Sequence, residues 1–327
     1  MPSIPIDIDP GTLIARANTA LDHNRPIANN NITTHGSDLN WAICALHALL
    51  LIGVIVWTYM TNPRRRVFHY FAISILSVAT VYYFIIASNL GGAAVPVEFR
   101  GGNILNRTRQ VFYARWVGYL INFSIIWFAL LLMSGVGWAS ILFTTGLTML
   151  WSSMFLMGMF VRSSYKWGFF VFAIVLWALI TWQTMGIARS YAGTIDATTH
   201  RTFSLLAAWT LFFMMLYPIS WALSEGSNRI TNDAEQIFYS VLDVCSQGVF
   251  SLVLLFLSRR LDFDILGLAF TEYGRIKNRI SEKMHHANGT AARPAGGVVS
   301  GHQNAVEGYR NDVAQAHAEH ARPRDGI

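Results

Sequence analysis

Seven apolar stretches, each long enough to span a membrane as a helix, constrain this chain more than any other feature. About 20 residues of helix cross the roughly 30 Å hydrocarbon core of a bilayer and satisfy their own backbone hydrogen bonds there. Only 13% of the 327 residues are charged, about half the share in a soluble protein. We therefore predict an all-α bundle of seven transmembrane helices, at 39–61, 67–90, 109–133, 138–160, 167–188, 202–224 and 235–258.

These spans divide the chain into three predicted parts. Residues 1–37 form an extracellular N-terminal segment, 38–262 the seven-helix transmembrane domain and 263–327 a cytoplasmic tail. The tail is rich in Ala, Gly, His and Arg without an apolar period, so we expect it to be largely disordered. Between the spans, only 91–108 and 188–201 have room for additional structure.

Arginines set the predicted orientation. Three occupy 64–66, after the first span, and two occupy 259–260, after the seventh. Positively charged loops stay in the cytoplasm, which places the N-terminus outside. Two Asn-X-Thr sequons, at Asn31 and Asn106, then lie outside as candidate glycosylation sites. We expect a multi-pass glycoprotein of the plasma membrane.

Composition also narrows the partners. The net charge of +6 comes partly from basic residues after the last span, which suit an anionic leaflet and require no nucleic acid. His47 and His69 stand alone on different spans, so no metal site is predicted. Cys44 and Cys245 lie within spans, where a disulfide is not expected. A homo-oligomer, and a cytoplasmic partner of the tail, remain open.

Two ionisable residues lie deep within predicted spans. Asp243 is in the middle of the seventh span, and Gln247 is one turn further on the same face. Arg115 is in the third span and shares its face with Tyr119 and Asn122. A charge at such a depth costs about 2.5–3.5 kcal/mol on insertion scales. We therefore single out Asp243 and Arg115 as candidate functional residues.

Sequence motifs on three spans resemble the microbial rhodopsins. The sixth span reads Leu-Tyr-Pro-Ile-Ser-Trp at 216–221, followed by Ser-Glu-Gly at 224–226, and the seventh reads Val-Leu-Asp-Val at 241–244. Tyr-Ala-Arg-Trp at 113–116 resembles the family's Tyr-Ala-Asp-Trp. The likeness covers about 38–262, and the sequence is similar to the fungal opsin-related branch. It implies the rhodopsin fold and a ligand pocket lined by Arg115, Trp116, Tyr119, Met214, Tyr217, Trp221, Asp243 and Gln247.

The chain departs from this family at four functional positions. Gln247 stands where retinal-binding members have the lysine that forms the Schiff base, and a carboxamide forms no imine. Arg115 replaces the counter-ion carboxylate, Ile126 the proton-donor carboxylate, and Met214 the tryptophan that packs on the polyene. We therefore expect no covalently bound retinal cofactor and no light-driven pumping.

The same replacements suggest a new charge pair. The family buries a lysine cation near two carboxylates, whereas this chain loses the lysine at 247 and gains a cation at Arg115. We predict that Arg115 and Asp243 pair across the bundle, either to fix helix register alone or to serve a pocket as well. Glu225, at the outer end of the sixth span, is predicted to be an interfacial acid.

Three classes of function follow. The leading one is a non-pumping, structural, regulatory or stress-linked membrane protein, as the resemblance to the opsin-related branch implies. The second is a photoreceptor-like or channel-like sensor that binds retinal or another apolar small molecule non-covalently between the third, sixth and seventh spans. The third is an intramembrane enzyme for an apolar metabolite, with Asp243 as acid or base and Arg115 as its electrostatic partner.

Overall fold

The computed structural model describes residues 18–97, 108–263, 265–266 and 268. Within them lie seven helices that are long and apolar enough to cross a membrane. All seven overlap the predicted spans. They are α1 (Thr34–Met60), α2 (Val67–Ala87), α3 (Tyr113–Ser134), α4 (Trp138–Phe160), α5 (Lys166–Ile195), α6 (Ala197–Gly226) and α7 (Asn232–Ser258).

Three helices begin earlier than hydropathy predicted because polar caps extend them beyond the apolar run. The side chains of Thr33, Asp196 and Thr231 accept hydrogen bonds from backbone N–H groups in the first turns of α1, α6 and α7. Such bonds satisfy donors that a helix start otherwise leaves open. The room predicted at 188–201 is taken up by additional helical turns, since α5 and α6 leave only Asp196 between them.

A short antiparallel hairpin precedes α3 and is the one departure from an all-α chain within the described residues. Strand β1 (Gly92–Pro96) pairs with β2 (Thr108–Phe112), in register from Gly92 with Phe112 to Pro96 with Thr108. The predicted start of the third span at 109 is therefore wrong by four residues. Asn30 adds a parallel bridge, since its N–H donates to Thr108 and its carbonyl accepts from Gln110.

The two ends of the bundle differ in character. We call the end with β1 and β2 the hairpin end. The opposite end carries the arginines at 64–66 and 259–260, and we call it the basic end. Which end faces the cytoplasm stays a prediction from the distribution of arginine.

Helix α3 is the central helix of the bundle. Most of its length is buried, whereas α1 and α5 expose large apolar side chains such as Leu49 and Phe172. In a bilayer those side chains face lipid. At Gly118 the backbone of α3 approaches α2 so closely that an added Cβ would lie 2.4 Å from Cδ1 of Tyr82. Small residues permit such close helix packing in membranes.

Substitution at Gly118 tests this close approach. Gly118→Ala is expected to destabilise the protein by about 1–3 kcal/mol, because the added methyl group would overlap the ring of the buried Tyr82 and force it to shift. The matched control is Gly146→Ala in α4, where an added Cβ meets no atom within 4 Å. Alanine there gains helix propensity of up to about 1 kcal/mol. Unfolding in detergent measures both, and equal stability of the two variants would contradict the proposed packing.

Candidate functional site

Asp243 is the centre of a buried hydrogen-bond network. Its Oδ2 accepts from the hydroxyls of Tyr83, at 2.6 Å, and Tyr119, at 3.0 Å. Its Oδ1 accepts from the hydroxyl of Tyr217, at 2.7 Å. The carboxylate has no exposure to solvent. Three phenolic donors from α2, α3 and α6 therefore converge on one acid of α7, as the solvation of a buried charge requires.

Arg115 is the cation that faces this carboxylate. Its Nη1 lies 3.8 Å from Oδ2 of Asp243, as the charge argument predicted. Its Nη2 donates to Oε1 of Gln236, and its guanidinium carbon lies 4.5 Å from the ring centroid of Tyr239. Arg115 is thus held by an ion pair, a hydrogen bond and a cation–π contact.

Gln247 completes the network in the place of the family's lysine. It lies in a π-helical segment of α7, Val244–Val249, directly after Asp243. Its Oε1 accepts from Asn122, at 2.6 Å, and Tyr82, at 3.2 Å, and its Nε2 donates to Asp243 at 3.3 Å. A carboxamide engaged in this way supplies no amine, so the residues present do not fit a retinal Schiff base.

Aromatic side chains occupy much of the space between α3, α4 and α6. The ring centroids of Tyr119 and Tyr217 are 4.8 Å apart, and Phe123 lies 5.2 Å from Tyr217 and 5.5 Å from Trp151. These rings lie beside the network and close the interior around it. Their number and mutual contacts are typical of a packed core.

The other three predicted pocket residues lie outside the Asp243 network. Trp116 stacks on Phe155 and donates its indole N–H to Glu225. Met214 accepts a hydrogen bond from Trp127 at its sulfur. Trp221 packs in an aromatic cluster with Phe155, Trp167 and Phe170.

Glu225 corrects one prediction. We expected an interfacial acid, but the residue is only 5% exposed, and its carboxylate accepts from Trp116, Tyr239 and its neighbour Ser224. The segment Ala222–Gly226 is π-helical, which places Glu225 on the inner side of α6. Its burial depends on this local widening of the helix, which hydropathy does not reveal.

A second buried ion pair was missed by the sequence analysis. Arg109 of β2 lies 2.5 Å from Glu235 of α7 and also donates to Asn228 and to the carbonyl of Ile230. Both residues lie near the predicted ends of spans, where sequence suggests exposure. They are buried because the hairpin and the segment 28–33 fold over them.

Of the two sequons, the one at Asn31 lies within the described residues. Asn31 is half-buried, and its side chain bonds the backbone of Ala28 as both donor and acceptor. Thr33 of the same sequon bonds Asp233. Asn106 lies outside the described residues, as does most of the tail from 263 onward. Glycosylation of either sequon stays a prediction.

Metal chemistry has no support in the described part of the chain. No group of three or more His, Cys, Asp or Glu side chains there is placed to hold an ion. His47 stacks on Tyr83 instead, with ring centroids 5.4 Å apart. Cys44 and Cys245 are both free thiols.

A seven-helix membrane bundle with a buried aspartate on α7 and its partners on α3 and α6 is the architecture of the microbial rhodopsins. A light-driven proton pump from Leptosphaeria maculans has the same fold, with a TM-score of 0.67 and 24% identity over 72% of this chain and 98% of that one. The family described as bacteriorhodopsin-like protein matches residues 37–261, and the chain belongs to it.

Fungal relatives support the narrower assignment to the opsin-related branch. The opsin-like protein carO of Fusarium fujikuroi is 34% identical over 319 residues, which cover 95% of this chain and 98% of the relative. The 30 kDa heat shock protein of Saccharomyces cerevisiae is 26% identical over 261 residues, which cover 73% of this chain and 77% of the relative. The resemblance to the microbial rhodopsins and their fungal opsin-related branch is thereby confirmed.

A double-mutant cycle tests whether Arg115 and Asp243 stabilise each other. Arg115→Ala and Asp243→Ala should each lower the free energy of unfolding, since each leaves a buried charge without its partner. The double variant should lose less than the sum, with a coupling energy of about 0.5–3 kcal/mol in unfolding measurements in detergent.

The control for this cycle is Ser153→Ala, a partly exposed position on α4. Combined with either charge variant, it should give additive losses. Additive losses for Arg115 with Asp243 as well would show that the two charges do not interact.

Proposed function

We propose that this protein is a retinal-independent member of the fungal opsin-related branch, with a structural or regulatory, stress-linked role in the plasma membrane. The observation that carries the proposal is the side chain at position 247. Its carboxamide is hydrogen-bonded to Asn122, Tyr82 and Asp243. A neutral amide in a satisfied network neither forms an imine with an aldehyde nor takes up or releases a proton near neutral pH.

The environment of Asp243 also argues against pumping. Each carboxylate oxygen already accepts two hydrogen bonds from protein donors. Ile126, at the family's proton-donor position, is buried and carries no ionisable group. The residues that would exchange protons are therefore either replaced or engaged in holding the helices together.

The two rival functions have weaker support. A sensor with an apolar ligand between α3, α6 and α7 would have to displace the packed rings of Tyr119, Phe123 and Tyr217. An enzyme with Asp243 as acid or base would need an oxygen of that residue free for substrate. Product formation that survives Asp243→Asn would exclude this second mechanism.

The names of the similar proteins describe two kinds of function. One relative is a heat shock protein, and one solved structure is a light-driven pump. The replacement of the lysine by Gln247 favours a role of the first kind for this chain. Stress linkage and the plasma membrane as its site are thus part of the proposal.

Absorbance spectroscopy tests the retinal-independent role. The purified protein in detergent, incubated with all-trans retinal, is expected to give only the spectrum of free retinal, because Gln247 offers no amine. A retinal-binding microbial rhodopsin prepared in parallel shows that the conditions permit binding. A red-shifted band in the native protein would contradict the proposal.

Two variants test which of the replacements at 247 and 115 prevents a protonated Schiff base. Gln247→Lys restores an amine, but Arg115 then places a second cation beside the Schiff base and disfavours its protonated form. The double variant, Gln247→Lys with Arg115→Asp, also restores the family's counter-ion carboxylate at 115. We expect the red-shifted band of a protonated Schiff base only in the double variant, where retinal must also displace the rings of Tyr119, Phe123 and Tyr217.

A further inference from the structure

A notch opens at the basic end of the bundle, between α1 and the end of α7. Its volume is about 650 Å³, within the range of small-molecule sites. Its wall combines apolar residues of α1 with one arginine that follows α7. The lining residues are Gly53, Val56, Trp57, Met60, Thr61 and Arg259.

Arg259 lies in a defined position at this notch. Its guanidinium carbon is 4.5 Å from the ring centroid of Trp57, and the side chain is exposed. Trp57 in turn packs edge-on against His69, whose Nε2 is 3.3 Å from the hydroxyl of Thr61. A guanidinium stacked on a ring keeps its in-plane N–H donors available, so Arg259 can bind an anion while it rests on Trp57.

The neighbouring arginines divide into two groups. Arg65 donates to the carbonyl of Arg259, at 3.2 Å, and Arg66 donates to the carbonyl of Thr61, at 2.8 Å. Arg65 thus holds the loop after α1 against the end of α7, whereas Arg66 bonds the end of α1 itself. Arg64 is exposed and, like Arg259, makes no salt bridge within the described ranges, where the ion pairs are Arg109–Glu235 and Arg115–Asp243.

Charge at the basic end is therefore unbalanced. Five arginines lie at 64–66 and 259–260, and the acidic residue nearest to them in the described sequence is Asp262. Such clusters at the end of a transmembrane bundle attract anionic lipid headgroups, and basic pockets between helices bind them specifically.

Apart from Thr61, the rest of the notch is apolar and opens on the outer surface of α1. A Cβ added at Gly53 would meet no atom within 4 Å, so the surface of α1 is open there. Val56 is 54% exposed and Met60 83% exposed. A molecule that fits this wall is anionic at one end and apolar along its length.

We propose that this notch binds an anionic phospholipid, with the headgroup phosphate on Arg259 and an acyl chain along α1 over Gly53. The bilayer supplies such a lipid at the depth of the notch. Binding would clamp the end of α7 to α1 at a site distant from Asp243 and independent of retinal.

The experiment is a lipid titration of the full-length, delipidated protein in detergent, with bound lipid counted by native mass spectrometry. Phosphatidylserine is compared with phosphatidylcholine of the same acyl chains and with inorganic phosphate. We expect tighter binding of phosphatidylserine than of phosphatidylcholine. Arg259→Gln should weaken phosphatidylserine binding about tenfold, as expected for the loss of a charged hydrogen-bond donor.

Two matched controls separate the notch from the general field of the basic end. Arg201→Gln removes an exposed arginine at the same end, at the start of α6, and should change binding less than twofold, as for a screened charge that does not line the notch. Gly53→Phe fills the notch without a change of charge and should weaken lipid binding. Gly146→Phe, at a glycine of α4 with open space, should leave it unchanged. The basic tail is present in every variant.

Three results would overturn the proposal. Equal losses in Arg259→Gln and Arg201→Gln would mean that only the diffuse positive field attracts lipid. Unchanged binding in Gly53→Phe would mean that no acyl chain lies in the notch. Inorganic phosphate that binds as tightly as phosphatidylserine would assign the site to a free anion.

Discussion

The bundle depends on the solvation of one negative charge. Removing a carboxylate from water costs several kcal/mol, and the protein offsets this at Asp243 with three phenolic hydroxyls, an amide N–H and the guanidinium of Arg115. These donors come from α2, α3, α6 and α7. A displacement of any one of the four helices would leave a buried polar group unpaired, so the same contacts that solvate the charge also define the register of the helices.

The charges of the side chains at 115 and 247 depend on each other. With Arg115 as cation and Asp243 as anion, the network around Asp243 is neutral when position 247 carries an uncharged carboxamide. A lysine at 247 alone would introduce a second cation beside Arg115. An aspartate at 115 alone would place a second anion beside Asp243 without a cation to balance the two. The two replacements are therefore mutually dependent, and each alone would leave an uncompensated charge in a medium of low dielectric constant.

The spans, the fold class and the Arg115–Asp243 pair could be predicted because hydropathy and charge at membrane depth act locally in sequence. Tyr82 and Tyr83 could not be assigned to the network, since adjacent helical residues point about 100° apart and both faces of α2 are apolar enough to face inward. The burial of Glu225 and the Arg109–Glu235 ion pair were missed for a different reason. Their burial depends on a π-helical turn and on a hairpin, both set by contacts between segments distant in sequence.

The segment before α1 has a consequence for the order in which the protein assembles. Thr33 bonds Asp233, which lies 200 residues later in the chain. During synthesis this closure has to wait until α7 has entered the membrane. Until then the segment that contains Asn31 lacks this contact, and Arg109 lacks its partner Glu235. The hairpin end can therefore close only in a chain whose seventh helix has been made.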